Sequence, residues 1–100
     1  MNGYIPSKWT VEFTAKAAKA RGKLPSKIKD RLDALVRAIQ YDGPVQPAMP
    51  HFGKLKGLGE TFHCHLNKGK PRYVAVWRVV DKSIELVEVR YVGSHENAPY

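Results

Sequence analysis

Four histidines fall in the second half of this 100-residue chain, at His51, His63, His65 and His95, and Tyr100 closes it. Imidazole titrates near neutrality, so two such groups can divide proton abstraction and proton donation between them at cellular pH. His63 and His65 belong to the alternating pentad Phe62-His63-Cys64-His65-Leu66. Read as a strand, the pentad turns Phe62, Cys64 and Leu66 inward and stands the two imidazoles together on the outer face, roughly 6–7 Å apart. Lys54, Lys56, Lys68, Lys70 and Arg72 surround this set in the sequence. A base, an acid and cations for a phosphorane-like charge are what a phosphodiester needs to be cleaved by its own 2′-hydroxyl.

Other chemistry is open to the same residues. His-x-His is a metal-ligand spacing, with His95 or His51 as a third nitrogen. No carboxylate lies in the pentad or in the basic turn after it, and lysines around a divalent cation are electrostatically unfavourable, so neither a metal nor another cofactor is expected. The imidazoles could equally be exposed strand residues without chemistry, and Tyr100 a packing or frayed terminal residue. Gly53, Gly57 and Gly59 match neither the Walker spacing nor the dinucleotide fingerprint, and read as turn and close-approach glycines.

The elements that must position these groups are constrained by composition. With 43% apolar residues, the chain holds material for one modest core, hence one domain spanning residues 1–100. Its net charge of +8 favours a polyanionic partner, with RNA, DNA, acidic protein and anionic lipid all open. The lone Cys64 excludes an intramolecular disulfide and fits a reducing compartment. Met1 to Thr10 lacks the apolar run of a signal peptide, and no span has the length of a membrane helix, so a cytoplasmic, membrane-free protein is expected.

After a loose leader from Met1 to Lys8, Trp9 to Phe13 alternates as a strand burying Trp9, Val11 and Phe13. Thr14 caps a helix over Ala15 to Arg21 that Gly22 ends. Pro25 suits the first position of a second helix, whose stripe is Ile28, Leu32, Leu35, Val36 and Ile39 and whose end is Tyr41-Asp42-Gly43-Pro44. Lys27, Lys29, Arg31 and Arg37 form its solvated face. Pro44 to Glu60, rich in proline and glycine, is a loop crossing the fold and carries His51, Lys54 and Lys56. The pentad strand, the turn Asn67-Lys68-Gly69-Lys70-Pro71, a strand over Arg72 to Val80, a tip at Asp81-Lys82 and a return over Ser83 to Val92 complete a meander. Alternation slips around Leu86-Val87, which suggests a bulge or a strand buried on both faces. The fold class is α+β: two N-terminal helices packed on a small twisted, mainly antiparallel sheet of about four strands, with the first strand joining the meander.

Several of these stretches resemble the RelE/ParE superfamily of bacterial toxins, in its RelE, HigB and YafQ branch of mRNA interferases. The likeness covers nearly the whole chain: Lys23-Leu24-Pro25, Lys54-Leu55-Lys56-Gly57, Phe62-His63-Cys64-His65-Leu66, the valine-rich hairpin and Tyr91-Val92-Gly93-Ser94-His95-Glu96. It implies a RelE-like toxin of a type II toxin-antitoxin module, neutralised by a cognate antitoxin protein. It also implies a metal-independent endoribonuclease that cuts mRNA in the ribosomal A site beside rRNA, leaving a 2′,3′-cyclic phosphate and a 5′-hydroxyl. His65 would be general base and His95 general acid, or the reverse, with His63 orienting or stabilising and Tyr100 stacking on a base. Lys54, Lys56, Lys68, Lys70, Arg72 and His51 would bind substrate. The cation that RelE places on its third strand falls on Val74 here, with Arg72 two positions earlier. Lys68 and Gly69 replace the aspartate and tryptophan of YafQ. The ParE branch, which poisons gyrase without this nuclease set, is the alternative on the same fold, and a binding module without chemistry is another.

Overall fold

Trp9, Val11 and Phe13 pack half-buried against the core, which is why Thr10–Phe13 forms a strand, β1. The computed structural model describes residues 8–100, so residues 1–7 of the leader lie outside the described residues. The Lys8 and Trp9 amides donate to the Gln40 carbonyl at 2.8 and 2.9 Å and anchor the start of β1 to the second helix. The first helix, α1 (Ala15–Gly22), begins where Thr14 Oγ1 accepts the Ala17 amide at 3.0 Å. Gly22 is its last residue and Lys23 its C-cap, one position later than Gly22 as terminator implies.

The second helix, α2 (Ser26–Asp42), takes Pro25 as N-cap instead of first helical residue, where the missing amide hydrogen costs nothing. Ile28, Leu32, Leu35 and Ile39 are buried along one stripe, and Gly43 ends the helix at φ +97°, with its amide bonded to the Ile39 carbonyl. Two charged residues of α2 do more than meet solvent: Arg31 donates to the Leu66 carbonyl at 3.1 Å, and Asp33 accepts from Arg21 of α1 at 3.0 and 2.7 Å.

Among the described residues five strands make the sheet, in the order β1-β5-β4-β3-β2, where β2 is Gly53–Lys54, β3 Thr61–His65, β4 Tyr73–Asp81 and β5 Leu86–Ser94. The expected count of four misses β2, which is only two residues long and half glycine and so carries no alternation to read. β1 lies at one edge, parallel to β5, and the other pairings are antiparallel. The hairpin tip is longer than Asp81-Lys82. The Asp81 carboxylate accepts the Ser83 amide and hydroxyl at 2.9 and 2.6 Å, Glu85 takes φ +52°, and Ile84 stands exposed in the turn, outside the strand assigned to it from sequence. The expected slip near Leu86-Val87 is present, as a register shift between Val79 and Asp81 on the facing strand. A second shift, between Val76 and Trp77, has no trace in the hydrophobic pattern.

Both helices cover one face of the sheet. Phe62, Cys64, Leu66, Ala75, Trp77, Val87, Val89 and Val92 meet the α2 stripe, Ala17 and Leu24 there. Burial pushes the Cys64 thiol up to about 12, so it packs as a small apolar group and supplies no thiolate. Val74 and Val76 are equally buried but belong to the other face, beneath the residues of the candidate site. Among the described residues, no helix is long and apolar enough to cross a membrane.

Candidate active site

Because β3 alternates, His63 and His65 leave the helix-covered face and stand beside Val76 and Val74 of β4, their register partners. His65 is not the open surface group its pattern suggests. It is only 8% exposed, because His51 stacks on it at 4.1 Å and 24° while His95 meets its edge at 5.3 Å and 74°. Its amide also bonds to the Pro50 carbonyl at 2.8 Å, which fixes the long loop against β3. His51 reaches its stacking position from a left-handed backbone, φ +54°, that histidine tolerates better than most residues. His95 comes from the far end of the chain. It opens a 3-10 turn, His95–Asn97, capped by Ser94 Oγ, and its amide bonds to the Arg72 carbonyl at 2.8 Å.

His63 lies against Tyr100, ring to ring at 4.6 Å, and Tyr100 approaches His95 at 6.3 Å and 90°. Gly53 of β2 sits opposite His63, and a Cβ there would stand 3.0 Å from His63 Nε2, so the close approach needs glycine. Among the described residues His63 Nδ1 is buried without a hydrogen-bond partner, which disfavours the imidazolium, whose two N–H groups both require acceptors. Burial is the largest cause lowering the His63 pKa, followed by the charges of His95 and His51. Burial likewise leads for His65, with His51, His95, Arg72 and His63 adding repulsion. Both imidazoles are therefore biased toward the neutral, proton-accepting form. Burial raises the Tyr100 pKa first, then Cys64 and Tyr91, which keeps its hydroxyl protonated.

These shifts make a stability prediction. In the window below about 6.5 the unfolded chain binds protons that folded His63 and His65 resist. Their contribution is complete above that value and is lost as pH falls through their depressed pKa values. Melting temperatures from about pH 8 to about pH 5 should descend below about 6.5, and less steeply in His51→Gln, which removes a charge that repels both rings. Identical descents in the two proteins contradict the assignment.

Tyr91 and Gly93 position the far end of this site. The Tyr91 hydroxyl donates to the Ser94 carbonyl at 2.7 Å, and the ring lies across Gly93, where a Cβ would meet Tyr91 Oη at 2.8 Å. Gly93→Ala should cost about 1–3 kcal/mol, read as a lowered urea midpoint, because the ring and the Ser94-His95 segment must both shift. An unchanged midpoint contradicts that packing. Sequence reading missed Tyr91 and Gly93 as positioning residues, although Gly93 directly before the Ser94-His95 cap was a visible signal.

The cations distribute unevenly. Lys70 and Arg72 line a 290 Å³ cleft with Ser94, His95 and Glu96, beside the histidines. Lys68 lines a separate 520 Å³ cleft with Lys27, Arg31 and Asn67. Asn67 shapes the turn between them: its side-chain oxygen accepts the Tyr73 amide at 2.8 Å and its amide group donates to the Pro71 carbonyl at 3.0 Å. Lys54 pairs opposite Phe62, so its side chain leaves the sheet on the other side from His63, and Lys56 follows it along the rim of a third cleft. Val74, where the resemblance to RelE leads one to expect a cation, is fully buried beside His65. Among the described residues no group of three histidine, cysteine or acidic side chains has the arrangement of a metal site.

No protein-family model matches this sequence, and no curated protein matches it. Solved structures do. The chain is similar to one from the intact E. coli RelBE toxin-antitoxin complex, at 26% identity and a TM-score of 0.65 over 89% of this chain and 99% of that one. It is also similar to the archaeal RelE-RelB complex from Pyrococcus horikoshii, at 16% identity and a TM-score of 0.71 over 91% and 99%. The chain has the RelE toxin fold. The YoeB dimer from Staphylococcus aureus shares it, at 15% identity and a TM-score of 0.67 over 89% and 99%. On this RelE-like frame, His63, His65, His95 and Tyr100 occupy one face, with His51 stacked above.

Proposed function

We propose that this chain is the toxin of a type II toxin-antitoxin module, a metal-independent endoribonuclease that cuts mRNA in the ribosomal A site and so halts translation. The observation that carries this reading is the convergence of His51 and His95 on His65, with His63 on the same face of β3, around an imidazole that is buried and biased toward its neutral form. A gyrase poison on the same fold has no need of such a cluster.

In the proposed mechanism, His65 takes the proton of the substrate 2′-hydroxyl, whose oxygen attacks the adjacent phosphorus. A phosphorane-like dianion forms, and His95 gives its proton to the departing 5′-oxygen. The products are a 2′,3′-cyclic phosphate and a 5′-hydroxyl, with the proton taken up at His65 balanced by the one released from His95. The exposure of His95 and the burial of His65 support this order of roles over its reverse. Arg72 and Lys70, at the rim beside His95, supply positive charge for the phosphorane in place of the strand cation that Val74 lacks. His63 holds Tyr100 by a tilted ring contact, and the Tyr100 ring is half exposed and free to stack on a base. Lys68, with Lys27 and Arg31, faces rRNA, and Lys54 and Lys56, which lie off the histidine face, add to that rRNA-facing charge and do not touch the mRNA.

The partner proposed to restrain it is a cognate antitoxin, as in the RelBE and RelE-RelB complexes, and the site of action is the cytoplasm. Purified protein added to ribosomes programmed with a defined message should cut it at positions that primer extension maps. A message left intact overturns the reading.

A further inference from the structure

Beyond the histidines, a second opening lies on the same face of the sheet. The register shift between Val76 and Trp77 leaves Arg90 without a partner across β4, so consecutive side chains Arg90 and Tyr91 both line this face, which simple alternation forbids. They help enclose a 370 Å³ cleft whose floor is Val76, Tyr91 and Leu55 and whose rim is the exposed Leu58 and Pro99. The cleft runs directly into the candidate active site, since Val76 is the register partner of His63 and Pro99 precedes Tyr100.

Its charges have one sign. Lys16, Arg78 and Arg90 line it and no carboxylate does. Glu88 of β5 is the register partner of Arg78, and its carboxylate is held by Arg90 at 3.0 Å. Arg78 makes no ion pair among the described residues, and its guanidinium lies over Gly59, where an added Cβ would stand 3.5 Å away. The polar groups on the floor are already engaged: Tyr91 hydroxyl by the Ser94 carbonyl, and Thr61 hydroxyl by the Leu58 carbonyl. What the cleft offers is therefore a ring and aliphatic surface below, with cations above. A nucleobase laid on the floor, its phosphate at the unpaired Arg78, fits that combination, and an acidic peptide would leave the apolar floor unmatched.

We propose that this cleft is a subsite for the base of the nucleotide next to the scissile phosphate, with Arg78 gripping that nucleotide's phosphate. The proposal rests on the RNA-substrate reading above. It makes Leu58, Tyr91 and Arg78 determinants of which codon position is held.

The test is binding, so that it does not depend on cleavage. A fluorescein-labelled 2′-O-methyl trinucleotide, uncleavable at every position, is titrated with the full chain, intact and with each base removed in turn. Removing one terminal base should weaken wild-type binding about tenfold. Arg78→Gln and Leu58→Asp should each lose about tenfold on the intact trinucleotide and little further when that base is absent. Leu58 is 48% exposed, so its replacement leaves the fold intact. Wild-type affinity in both variants, losses that ignore which base is missing, or no binding at all overturns the subsite, the first of these leaving the cleft to a protein partner. Base-dependent binding together with ribosome-held mRNA that is never cut would instead overturn the nuclease reading and keep the subsite.

Discussion

His65→Ala and His95→Ala should each lower mRNA cleavage by about a hundredfold or more, the range that a positioned general acid or base contributes. The two variants test different halves of one proton relay. His95 is exposed at the start of a 3-10 turn, so its loss removes a proton donor and leaves the core untouched. His65 is packed between His51 and His95, so its variant needs a melting curve beside the rate to show that the protein still folds. The wild-type rate should also depend on pH as a bell, with the acid limb below about 6.5 because His65 resists protonation. His65→Ala should abolish that limb. If neither variant loses about a hundredfold, acid-base catalysis by this pair is wrong.

Trp77→Ala should be the most damaging change to the fold. Trp77 is fully buried at the centre of β4, touches Phe52 and Phe62 at ring separations of 6.1 and 6.3 Å, and donates its indole N–H to the Pro44 carbonyl at 2.8 Å. Truncation removes the largest side chain of the core and leaves a buried carbonyl unpaired, a loss of about 3–5 kcal/mol for the cavity alone. For a domain of this size each kcal/mol shifts melting by about 4–8 °C, so a fall of at least about 12 °C is expected. The Pro44 bond also tethers the beginning of the loop that delivers His51, so cleavage should fall even where the variant stays folded. A melting shift of only a few degrees contradicts the central role given to this side chain.

Much of this arrangement is written in residue spacing. The stripe of α2, the Thr14 cap and the in-out alternation of the pentad are local properties, and each is realised where its pattern places it. What spacing does not encode is contact between distant segments. His51 and His95 meet His65 across fourteen and thirty residues, through an αL backbone at His51 and a Ser94 cap, so an apparently open imidazole becomes a buried one. The same limit applies to Lys54, which is near the histidines in sequence yet leaves the sheet on the other side. The bulge that brings Arg90 beside Tyr91 leaves the apolar order of β5 unchanged and is visible only in the register with β4. A parallel edge strand such as β1 is likewise decided by its partner, since its own four residues would pair either way.

The chemistry at the cut ends tests the central claim most directly. Message from programmed ribosomes, treated with the pure protein in the presence of a chelator, should yield upstream fragments whose mass carries a 2′,3′-cyclic phosphate and downstream fragments with a 5′-hydroxyl, and a 2′-deoxy residue at the cut position should block the reaction. Ends bearing a 3′-hydroxyl and a 5′-phosphate, or cleavage that survives the 2′-deoxy substitution, would contradict attack by the substrate's own hydroxyl and with it the roles given to His65 and His95.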